Sequence, residues 1–124
     1  MNGATQLPAV QNLEFESDTD FSVNLTLLDA FGNPINLTGC TMTADIKKTN
    51  QTSTVAASFT ATLVDATAGM ITLSLPAASN TLTSGANATD PAGQYVWDLK
   101  VVTTGGAVSR PIGGTVTIIG SVTP

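Results

Sequence analysis

Short stretches of alternating apolar and polar residues recur along most of this chain. Between residues 21 and 28, Phe21, Val23, Leu25 and Leu27 fall on one side of an extended segment, and Ser22, Asn24 and Thr26 on the other. Successive side chains of a strand point to opposite faces, so this spacing half-buries as β structure and forms no continuous stripe on a helix. The pattern returns at 41–48, with Met42, Ala44 and Ile46 inward, and at 55–64, with Val55, Ala57, Phe59, Ala61 and Leu63 on one face. It returns again at Ile71, Leu73 and Leu75, and most heavily at Tyr95, Trp97, Leu99 and Val101. Leu13 and Phe15, alternating with Glu14 and Glu16, predict a short edge strand ahead of these. Residues 107–112 and 115–119 predict the last strands, broken at Gly113-Gly114 by a bulge or sharp bend.

Turn chemistry separates these segments. Asp29-Ala-Phe-Gly-Asn-Pro34 combines residues that accept positive φ with a proline that fixes its own, and Thr104-Gly105-Gly106 predicts a hairpin turn. Residues 76–82, opening with Pro76, hold the one predicted helical turn. Composition agrees with the pattern. The chain has 21 threonines, β-branched residues that suit a pleated surface, and charged residues make up only 10%. Its 124 residues suffice for a single domain with a substantial core. The expected fold is all-β, an immunoglobulin-like antiparallel sandwich of seven or eight strands with the tryptophan inside; a small β-barrel is the alternative. Residues 12–124 form the predicted domain, and residues 1–11, polar and carrying Gly3 and Pro8, a predicted N-terminal arm.

The same composition narrows function. Four basic residues against nine acidic ones give a net charge of −5, without the cationic footprint that phosphates require, so nucleic acid is not an expected partner. The chain has no histidine, which removes the commonest general base and zinc ligand. Cys40 is the sole cysteine and sits in a strand-like stretch, where it is read as a small hydrophobe. The expectation is a protein that is not an enzyme and has no cofactor or metal. Without a leader-like or membrane-spanning stretch, synthesis in a cytoplasm and no membrane partner are expected.

Four features bear on a possible site. Glu14, Glu16, Asp18 and Asp20 alternate, and on one extended face paired carboxylates could hold calcium or act as acid and base. The spacing lacks the turn of a calcium loop, so the run is read as a solvated strand face that protects an edge. Tyr95 and Trp97 point the same way and could stack on a sugar, but their place in an apolar stripe assigns them to the core. Asp98, facing outward, is expected to pair with Lys47, Lys48 or Lys100. The glycine pairs at 105–106 and 113–114 precede no helix and form no phosphate cradle.

The segment from Phe21 through Asp29-Ala-Phe-Gly-Asn-Pro-Ile-Asn-Leu-Thr-Gly39 to Lys48 is followed by Gly93-Gln-Tyr-Val-Trp-Asp-Leu99, then Gly114-Thr-Val-Thr-Ile118 and Val122-Thr123. In this order the motifs resemble a family of small tailed-phage virion proteins, related to the N-terminal domain of siphophage upper baseplate proteins. The resemblance covers roughly residues 13 to 123. It implies a non-catalytic structural protein of the virion, docking in multiple copies on the capsid as a decoration or cement protein, on the neck, or on the tail or baseplate. No receptor-binding or fibre region follows the motifs, so the role is expected to be docking to other virion proteins, as a homo-oligomer or symmetric multi-copy array. Leu7, Pro8 and Val10 of the arm are the candidate interface residues. The alternative is a glycan-binding or adhesin-like β-sandwich module.

Overall fold

The computed structural model describes residues 9–29, 31–49, 51, 54–84 and 91–119. The fold is all-β. The described residues form eight strands, β1 (Ala9–Val10), β2 (Leu13–Glu16), β3 (Phe21–Thr26), β4 (Thr41–Lys47), β5 (Ala57–Asp65), β6 (Met70–Leu75), β7 (Gln94–Val102) and β8 (Val108–Ile119). They join one curled, mixed sheet in the order β1-β8-β7-β4-β5-β6-β3, with β2 also on β8. β1 and β2 run parallel to β8, and every other pairing is antiparallel.

The curl comes from β5. Its first residues, Ala57 to Phe59, pair with β4, whereas Thr60 to Asp65 pair with β6 across a bulge between Leu63 and Asp65. A strand that changes partner part-way bends the sheet over on itself. The far ends of the hydrogen-bonded path thereby meet through side chains. The ring of Phe15 on β2 lies 4.3 Å from that of Phe21 on β3, and Phe59 at the bend sits edge-on to Trp97 at 5.8 Å. Aromatic pairs of this kind contribute about 0.5–1.5 kcal/mol each beyond their buried area.

The alternating residues fill the interior as the pattern predicts. Leu25, Ala44, Ile46, Phe59, Ile71, Leu73, Leu75, Tyr95, Trp97, Leu99 and Val101 are all buried. Phe21, Val23 and Met42 are half-buried, and in 55–64 Val55 and Leu63 are exposed although they share parity with Phe59. The strand starts after Val55, and its end runs past the core once it has turned the corner.

Other differences from the sequence reading have local causes. β8 is continuous through Gly113-Gly114, and the irregularity lies on the β7–β8 pairing between Leu99 and Val101. The two glycines are there for close approach. A Cβ on Gly113 would come 2.8 Å from the Trp97 carbonyl oxygen, and one on Gly114 would come 2.5 Å from that of Gln11. The turn opened by Pro76 is a 3-10 turn, Ala77–Ser79, and a second one, Pro91–Gly93, lies in a stretch read only as loop. The sheet also begins inside the segment read as an arm. Ala9 and Val10 pair with Ile112 and Gly113, and the Gln11 amide donates to the Gly113 carbonyl at 2.9 Å.

Candidate functional site

The outward-facing side chains of β4, β7 and β8 form a hollow lined by charges of both signs. Register places Asp45 directly opposite Asp98, and Thr43 opposite Lys100. Two carboxylates facing each other across a ladder repel, and each is held by a different neighbour. The Ser58 hydroxyl donates to Asp45 Oδ1 at 2.8 Å, and Arg110 Nε lies 3.4 Å from Asp98 Oδ2. The expected lysine partner of Asp98 is thus replaced by Arg110. The bulge after Leu99 shifts the start of β8, so that this arginine, three residues before Gly113, reaches the Asp98 opposite that glycine. Both partners are about half exposed, which limits the pair to roughly 0–1 kcal/mol.

Three of the four basic residues, Lys47, Lys100 and Arg110, line this hollow, whose volume is about 180 Å³. Past Asp98 and Arg110 it continues into an apolar depression of about 310 Å³, floored by Gly113 and Gly114 and walled by Ala9, Val10 and Ile112. Neither Gly113, opposite the outward-facing Asp98, nor Gly114 carries a side chain that would fill this recess. Val10, the one candidate interface residue that can be placed, is 75% exposed at the rim of this recess. Leu7 and Pro8 lie outside the described residues.

The acidic run does not gather into a site. Glu14 and Glu16 are exposed on β2, but the strand ends there and Asp18 turns with φ of +59°. Asp20 accepts the Ala77 amide at 2.7 Å, which ties it to the 3-10 turn. The four carboxylates therefore share no face, and among the described residues no three His, Cys, Asp or Glu side chains converge to hold a metal.

Nor do the paired aromatics form a platform. Trp97 is 3% exposed, its Nε1–H donating to the Gln11 carbonyl at 2.9 Å, and the Tyr95 hydroxyl accepts the Thr83 amide at 2.9 Å. Lys48 stands over the Tyr95 ring at 4.5 Å and donates to the Ala92 carbonyl. Cys40 is half-buried against the core. The exposed aromatic is Phe31, at 88%, on the tip of the 29–34 turn.

Sequence reading missed Asn80. It is fully buried, and its Nδ2 donates to the carbonyls of Glu16 and Thr19, both at 2.9 Å. Its backbone carbonyl also accepts the Asp18 amide at 3.1 Å. It pins the β2–β3 turn, and nothing in its local sequence distinguishes it from a loop asparagine.

No family model matches this chain, and no curated protein matches it. Among solved structures it is similar to the SrpA adhesin R347E mutant from Streptococcus sanguinis, with a TM-score of 0.43 and 12% sequence identity. The match covers 96% of this chain and 61% of the adhesin chain, so this chain spans less than two thirds of the other's length.

Proposed function

We propose that this chain is a non-catalytic structural component of a tailed-phage virion, docking in multiple copies on the capsid, neck, tail or baseplate. The observation that carries the reading is where its motif residues sit. Asp29 Oδ1 accepts the amides of Phe31 and Asn33, Gly32 turns with φ of +83°, and Pro34 bridges back to Leu28. Tyr95 and Trp97 fill the core. These residues build a framework, leaving an exterior of hydroxyls, amides and few charges suited to protein docking.

The strand order supports the immunoglobulin-like form of the sandwich. β3, β6 and the second part of β5 would be the B, E and D strands of one layer, and β4, β7 and β8 the C, F and G strands of the other. The first strands lie beside the last one instead of beside β3. Mass spectrometry of purified virions, with capsids and tails separated, tests the proposal. A fixed copy number in one fraction is expected; absence from purified particles, when the chain is present in the lysate, overturns it.

A further inference from the structure

The two edges of the sheet are finished differently. At one end, β2 carries Glu14 and Glu16 outward, and charge on an edge discourages pairing with another chain. At the other end, β3 is six residues long, with no charge, no proline and no bulge, and among the described residues no strand pairs with its far side.

Ladder parity identifies the backbone groups left open. The Leu27 amide donates to Gly69, its opposite residue beyond β6, so odd-numbered residues of this segment direct their N–H and C=O toward β6. Ser22, Asn24 and Thr26 therefore direct theirs outward. On the core face, Phe21 and Val23 are only half-buried, whereas Leu25 further along the strand is buried. A strand laid alongside would complete both the ladder and the burial.

We propose that the occupant of this edge is β3 of a second copy, running antiparallel across a two-fold axis at Val23. With Val23 opposite Val23, Ser22 of each copy pairs with Asn24 of the other through the outward backbone groups. Phe21 meets Leu25 on the core face, and Asp20 falls opposite Thr26. Core faces align with core faces, and no like charges meet. This rests on the reading of the chain as a docking module, but it is tested on the isolated protein, so the two can fail separately. A six-residue edge pairing lies below the ~1,200 Å² of a stable interface. The contact is therefore weak between free chains and is reinforced where a scaffold holds many copies close together.

Disulfide trapping in a Cys40→Ala background tests the register. At a non-hydrogen-bonded pair on the two-fold, the Cα atoms stand ~4.5 Å apart, within disulfide reach, while two Asn24 positions would be ~8 Å apart and out of reach. Val23→Cys should form a covalent dimer at least about tenfold faster than Asn24→Cys. Ser22→Pro, which deletes an outward N–H and spares the β6 ladder, should weaken concentration-dependent association in sedimentation by about tenfold. Equal trapping of the two cysteine variants, or a Ser22→Pro chain that folds and associates like the parent, overturns the proposal. So does Val23→Cys crosslinking to a different protein in particles without self-crosslinking.

Discussion

Trp97 and Gln11, 86 residues apart in sequence, are joined by a hydrogen bond of 2.9 Å from the indole Nε1 to the main-chain carbonyl. Gly114 stands between them on β8, opposite Trp97 in register, and a Cβ there would come 2.5 Å from the same carbonyl oxygen. The bond thus locks the first strands onto the sheet through the core tryptophan, across a position that tolerates only glycine.

Trp97→Ala should cost about 3–5 kcal/mol in denaturant titration, through the cavity and the lost contact with Phe59. Trp97→Phe keeps most of the apolar volume but leaves the Gln11 carbonyl without its donor, so a smaller loss of roughly 1–3 kcal/mol is expected. Deleting residues 2–11 should also destabilise the fold, since it removes β1 and that carbonyl together. Unchanged stability of the truncated chain would contradict this.

Glycine substitutions separate space from conformation. Gly114→Ala meets backbone on the Gln11 side, and Gly69→Ala combines φ of +68° with a Cβ 2.7 Å from the Leu27 carbonyl oxygen. Each should lose several kcal/mol, on the order of 2–4, because backbone must move. Gly105→Ala, whose nearest neighbour would be a side-chain oxygen at 3.9 Å, should stay within about 0.5 kcal/mol of the parent.

Asn80→Ala should cost about 1–3 kcal/mol, since it leaves the Thr19 carbonyl without this donor and the Glu16 carbonyl with the Thr19 hydroxyl alone. Asn80→Asp should cost more at neutral pH, because it directs a charged acceptor at two acceptors. A thermal melt in which the aspartate variant matches the parent would contradict the hydrogen-bond assignment.

Arg110→Ala should change stability by less than about 1 kcal/mol, as expected for an exposed ion pair. A larger loss would mean that the Asp98 pairing organises the start of β8.

Period-2 alternation made the strands and most of the core legible in sequence, because it reports directly which side of a strand is covered. It failed at Val55 and Leu63, since alternation cannot register that a strand turns a corner and leaves the core. It read Gly113-Gly114 as a break because glycine weakens a strand; the close approach of Gln11 that requires Gly114 is a contact between distant segments. The outer hollow was equally hidden. Alternation places Asp98 facing outward, but its opposition to Asp45 and its bond to Arg110 depend on pairing register and a bulge. The resemblance-bearing motifs, read residue by residue, became turn caps and core, so they locate the framework instead of a site.

A cryo-EM map of purified virions tests the proposed role most directly. Eight-stranded density is expected in symmetry-related copies on the capsid, neck, tail or baseplate, with outer strand surfaces against other virion proteins. A particle map whose densities are all assigned to other chains, from a preparation in which this chain is abundant but unbound, would contradict it.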